Sequence, residues 1–301
     1  VLNLRAQLSA ATSVAIVTAG AIGAKITVAG AISAGTSFAL ATGSGDETIV
    51  LNGVLAAGTD VTFTTGGGTD SVTLARATTA TTGNMAFDLG DVGGTVNGVA
   101  SSLTLLGALV AGGNITLKNS GLPGATYLLD KTATAGAGFS LITGNGIENV
   151  TFNGMITANA LLSLQTGAGA DVVTITATSG LTSKQSDVTL DLGAADGVTD
   201  TLNVTGDIDA FNSFILTDTG LGVSAVTMQA ISLQTGRGGV AVMLSAGADT
   251  MTLTDVALST TGDMVVNTAD GADTFTQNGG SITVAKTLVI DAGAGDDTLL
   301  F

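Results

Sequence analysis

Asp249, Asp273 and Asp297 stand 24 residues apart in Gly-Ala-Asp or Gly-Asp-Asp corners, and each opens a Thr-apolar phrase: Thr250-Met251, Thr274-Phe275 and Thr298-Leu299. A carboxylate that returns at a fixed interval has two chemical uses. Its hard oxygens can bridge calcium between neighbouring copies of the motif. They can also accept hydrogen bonds from the N–H groups of their own corner, as in Asx turns. If the copies stack, the carboxylates lie about 5 Å apart, where unit charges repel by roughly 1 kcal/mol in water and about 3 kcal/mol at an effective dielectric of 20. Either use offsets that repulsion. The calcium candidates are Asp171, Asp200, Asp249, Asp273 and Asp297, with acids crowded beside them: Asp270 near Asp273, Asp296 next to Asp297, and Asp191 and Asp196 near Asp200.

The elements that carry these acids follow from the interval. Requiring apolar residues two and four places after each anchor gives a full series. Read backwards, it is Asp297, Asp273, Asp249, Ser224, Asp200, Asp171, Glu148, Ala125, Ser101, Asp70, Glu47 and Ala24. The spacing is 23 to 25 residues, apart from gaps of 29 before Asp200 and 31 before Ser101. Such a period in a Gly-rich chain signals a stacked repeat. Each turn holds three short strands. The first follows the anchor, as in Val172-Val173-Thr174-Ile175, where alternation turns Val173 and Ile175 inward. The second is shorter, as in Val54-Leu55-Ala56. The third carries an inward apolar pair in every turn, from Val14/Ile16 through Phe214/Leu216 and Val242/Leu244 to Leu288/Ile290. The expected fold is one all-β domain over residues 1–301: a parallel β-helix (β-solenoid) of about 12 turns of 23–25 residues. Right-handed winding follows from the usual crossover rule. At about 4.8 Å per turn the rod is roughly 58 Å long.

Composition agrees. The chain has 44 Gly and one Pro, with 45% hydrophobic residues but only 3% aromatics. Gly suits tight corners, and Pro would remove ladder donors. With neither Cys nor His, thiolate metal sites and the usual general base are missing. A net charge of −16 argues against nucleic acid, whose binding needs clustered cations. Residues 10–32 are apolar enough to suggest a membrane span, but Lys25 and several Gly and Thr interrupt them, and the repeat register accounts for them without one. The long gaps place insertions at residues 89–99, 178–187 and 191–198, where a solenoid meets ligands or partners. Neither end shows a cap. The expectation is that further chain, or another copy stacked end to end, covers the open edges.

The corners Gly167-Ala168-Gly169-Ala170-Asp171 and Gly293-Ala294-Gly295-Asp296-Asp297, and phrases such as Gly113-Asn114-Ile115-Thr116-Leu117, resemble large secreted bacterial β-strand-repeat surface proteins. These are the filamentous-haemagglutinin and autotransporter-passenger type. The resemblance implies an extracellular, cell-surface adhesin, fibre or surface-layer (S-layer) component. Gly66-Gly67-Gly68-Thr69-Asp70 also resembles the calcium-binding repeat-in-toxin nonapeptide. That family repeats every nine residues, however, and this chain every 23 to 25, so its calcium cage does not carry over.

Two outward columns remain. Thr or Ser recurs one and three places past the anchors, as in Thr250 and Thr252. Such a face resembles that of β-solenoid ice-binding proteins, although β-branched Thr suits any exposed strand. Val50, Leu128, Val172, Asn203 and Leu300 interrupt it. On the third strand, Ile215, Met243, Val265 and Val289 form an outward apolar patch, expected to meet another copy laterally. Catalysis finds little support, since the eight Lys and Arg are scattered and no aromatic platform for sugars appears. The expected role is an extracellular structural protein that self-assembles into a fibre, sheath or surface layer. The alternative is an adhesin, calcium-dependent or not, that takes a cell-surface or polysaccharide ligand on its corner loops. An ice-binding face and a polysaccharide-active enzyme come behind both.

Overall fold

A computed structural model of the chain describes residues 1–18, 23–90, 100–119, 124–194 and 197–301. The described residues form three parallel sheets of 13, 12 and 12 strands, and every strand but the first and last of each sheet pairs with its counterparts one turn before and one turn after. The first strands run from Leu2–Leu4 to Thr298–Leu300, the second from Leu8–Ala10 to Ser281–Val284, and the third from Val14–Val17 to Leu288–Asp291. The chain is thus a β-solenoid of about 12 turns with three strands per turn. Among the described residues no helix is long and apolar enough to cross a membrane.

Alternation sets the interior. In Val172–Ile175 the side chains of Val173 and Ile175 are buried and those of Val172 and Thr174 are not. Stacking in register then builds columns: Val72, Leu103, Tyr127, Val150, Val173 and Leu202 succeed one another turn by turn. Phe63 stacks on Phe87 with ring centroids 5.0 Å apart, and Phe38 lies 5.4 Å from Phe63. The core therefore runs the length of the rod as like packed on like.

The corner before the first strand needs glycine for two reasons. Gly167 has φ +83°, and a Cβ there would collide with the Gly144 carbonyl one turn below. The backbone of successive corners lies too close for a side chain between them. The insertion foreseen at residues 89–99 lies almost wholly outside the described residues; Leu89 itself is buried. At 191–198, the third strand extends as Val188–Ala194 and the first strand resumes at Thr199.

One strand departs from expectation. The inward pair in the turn after Phe214/Leu216 is Val240/Val242, not Val242/Leu244. Val240, Val242 and Leu244 are all apolar, so two registers satisfy the alternation. Pairing with Phe214 and Leu216 selects the first, and Leu244 is buried just beyond the strand.

Candidate functional site

The anchors sit two residues before an inward apolar side chain, so alternation turns them inward as well. Glu47, Asp70, Glu148, Asp171, Asp200, Asp249 and Asp273 are all buried, at 0–4% exposure. An acid in such a place needs donors. The Asp anchors reach along the rod to the anchor of the preceding turn. The Glu47 amide donates to Asp70 Oδ1 (3.0 Å), Glu148 to Asp171 (2.8 Å), Asp171 to Asp200 (2.7 Å), Ser224 to Asp249 (2.6 Å), Asp249 to Asp273 (2.8 Å) and Asp273 to Asp297 (3.0 Å). Where the column carries a serine, Ser101 Oγ accepts from the Asp70 amide instead (3.0 Å).

This corrects the expected Asx geometry at the anchors: their backbone N–H donors belong to the neighbouring turn, not to their own corner. Own-corner bonds occur at other acids, as in Gly90 N–H to Asp88 Oδ1 (3.1 Å) and Gly193 N–H to Asp191 Oδ1 (3.3 Å).

A second set of polar groups lines the same corner and escaped the sequence reading. Thr65, Thr143, Thr166 and Thr268 are buried. Thr143 Oγ1 donates to the Thr166 carbonyl (2.5 Å) and Thr166 Oγ1 to that of Leu192 (2.8 Å). Their signal is legible in retrospect: Thr42, Thr65, Thr143, Thr166 and Thr268 each stand five residues before an anchor. Asp218 was missed too. It is buried and accepts from Ser224 Oγ (2.8 Å), while Ser245 Oγ donates to Asp249 (3.1 Å).

Burial raises the acids. Burial first, then the adjacent Asp70 carboxyl, pushes Glu47 up to about 8. Burial and the Asp171 charge push Glu148 up to about 9. Asp249 rises to about 6, again through burial, against the pull of its Ser224 and Ser245 donors. Raised above 7, Glu47 and Glu148 favour the neutral form at neutral pH, which relieves the repulsion at the Glu47–Asp70 and Glu148–Asp171 contacts.

The calcium candidates divide accordingly. Asp171, Asp200, Asp249 and Asp273 lie inside the rod, and Asp297 is half-buried at its last turn. Asp270 and Asp296 are exposed, so they do not share a face with the buried anchors beside them in sequence. Asp191 is half-buried and receives Gln165 Nε2 at 3.5 Å; Asp196 lies outside the described residues. Among the described residues, no three acidic side chains converge where they could hold a metal ion.

The outward patch is the second candidate. Ile215, Ala241, Val265 and Val289 form one column in unbroken register on the outer face of the third sheet. Val265 is 36% and Val289 41% exposed. Met243 does not belong to this column, because the strand register corrected above puts Ala241 there. It lies two residues further along the strand, beside Thr217 and Asn267, and is 46% exposed. Earlier turns present Ala15, Ala39, Ala86, Ser140 and Ser163 in the same column. Where the strands of the stripe begin, a groove of about 370 Å³ opens, lined by Ile215, Gly238, Gly239, Gly262, Val265 and the charged residues Arg237, Asp263 and Lys286. Arg237 stacks over the Phe211 ring, 4.5 Å from its centroid. The Thr columns of the first sheet are in register as expected, Thr250–Thr274–Thr298 beside Thr252–Thr276–Leu300.

Comparison with protein-family models, curated proteins and solved structures finds no match to this chain. Its class, a β-solenoid repeat protein, rests on the strand register.

Proposed function

We propose that this chain is an extracellular structural rod that packs side by side with copies of itself in a fibre, sheath or surface layer. The observation that carries the reading is the stripe Ile215–Ala241–Val265–Val289, apolar throughout and large at Ile215, Val265 and Val289, on a face whose earlier turns carry only Ala, Ser and Thr. Contiguous apolar surface on a soluble chain is normally covered by a partner. The small residues in the rest of the column let a second rod approach closely along its whole length. The corner composition, which resembles secreted bacterial surface proteins, supports an extracellular setting. Electron microscopy of the purified chain tests the proposal. Filaments or sheets with rods side by side are expected, whereas isolated rods at all concentrations favour an adhesin that works as a single unit.

A further inference from the structure

The third-sheet face is asymmetric across its width, and the asymmetry is matched turn by turn. Each strand of the stripe begins at one flank and ends at the other. In the first of the three C-terminal turns the flanks carry Arg237 and the Gly238-Gly239 groove at the start, and exposed Met243 at the end. In the next they carry Gly262 and Asp263 at the start, and Asn267 at the end. In the last they carry Lys286 at the start, and Asp291 at the end. Arg237 and Lys286 make no ion pair within the described chain, whose two salt bridges join Lys118 to Asp88 and Lys131 to Asp130. Thus one flank is concave and carries Arg237 and Lys286 on either side of Asp263, while the other bears a protruding thioether, an amide and a carboxylate, at the same heights along the rod.

Two copies can meet through this face about a two-fold axis in either of two orientations. An axis along the strands makes the rods antiparallel. It sets each flank on its own copy, groove on groove and cation on cation. An axis along the rod makes them parallel. It sets each starting flank on the partner's ending flank without changing height. Only the parallel arrangement places Met243 over the Gly-lined groove, Asp263 opposite Asn267 and Lys286 opposite Asp291.

Area favours the same choice. The four-turn stripe alone is about 14 Å by 13 Å, far below a stable interface. Parallel pairing keeps stripe on stripe and also overlaps the full face of roughly 58 Å by 13 Å. That buries about 1,500 Å² over both copies, within the usual range. Antiparallel rods can overlap fully only by setting the stripe on the partner's opposite end.

We infer that the chain pairs with a second copy as parallel, in-register rods through the outer face of the third sheet, Met243 of each seated in the Gly238–Gly239–Gly262 groove of the other. This geometry rests on the lateral self-association proposed above. The test uses single cysteines in the full, otherwise cysteine-free chain, with circular dichroism to confirm folding. Under mild oxidation, Val289→Cys and Ala241→Cys should each form disulfide-linked homodimers. A mixture that yields only the Ala241–Val289 heterodisulfide would overturn the parallel arrangement while leaving self-association standing. Absence of any cross-link, with the wild-type chain still self-associating, would assign the contact to another face. A wild-type chain that stays monomeric would remove both readings. Independently, Lys286→Glu should weaken pairing about tenfold, and adding Asp291→Lys should restore it. A double variant no better than the single one contradicts the Lys286–Asp291 contact and with it the register.

Discussion

Tyr127 is the one tyrosine of the chain, and it fills the core column between Leu103 and Val150. Its hydroxyl is buried without a hydrogen-bond partner among the described residues, and burial, with the Glu148 and Asp88 charges nearby, holds its pKa above the usual tyrosine value. A buried unpaired hydroxyl destabilises the fold. Tyr127→Phe should therefore raise the free energy of unfolding by about 1 kcal/mol in urea titration; a loss of that size would mean the hydroxyl is bonded. The acidic column predicts an unusual pH response. Glu47 and Glu148 hold their protons in the folded chain to about pH 8 and 9, against 4.5 in the unfolded chain. Their contribution is complete below pH 4.5 and is lost as pH rises through those folded values. The melting temperature should fall from mild acid towards pH 9, and Glu47→Gln with Glu148→Gln should flatten the decline. Because the interior Asp side chains already accept backbone amides, melting curves with calcium and with a chelator should coincide. Stabilisation of several degrees by calcium would show an ion site on the exposed acids. The inward direction of the anchors was implicit in their parity with the apolar pairs. Their donors were not legible, since each belongs to a residue 23 to 29 positions away that only the finished stack brings close.

At the scale of the element, the corners set the constraints. Ala230 and Asp255 occupy successive turns of one corner with φ of 53° and 52°, and Gly279 follows them at 72°. A left-handed conformation costs an L-residue about 1–2 kcal/mol, more than the entropy glycine gives up. Ala230→Gly should therefore stabilise the chain by about 0.5–1 kcal/mol, and Gly167→Ala should destabilise it by about 2 kcal/mol or more, both read by chemical denaturation. The strands were readable because each turn repeats its alternation, which overdetermines the register. Reading failed where the pattern was degenerate. Val240, Val242 and Leu244 allow a two-residue slip, and that slip moved Met243 into a column that belongs to Ala241. The corner threonines were overlooked for a related reason: hydroxyl side chains suit both outside and inside, so their burial depends on the corner's path and not on polarity.

At the scale of the whole molecule, the interior of the rod is apolar columns with buried acids at one corner, and the exterior is mostly small and hydroxylated side chains. Other large apolar side chains, among them Ile147 and Leu221, are exposed as well; the third-sheet stripe differs in running through successive turns in one column with matched flanks. A charged fraction of only 11% and a long face of small side chains suit lateral packing. The repeat period made the rod and most of its outward apolar stripe legible, while the membership of Ala241 and the flanks at each height emerged only from the strand register. Sedimentation velocity on the wild-type chain and on Val265→Asp/Val289→Asp tests the central claim most directly. The account predicts that the wild-type chain sediments faster as its concentration rises. The double variant should stay monomeric with an unchanged circular-dichroism spectrum and melting transition. Equal self-association by both chains, or none by the wild type, would contradict it.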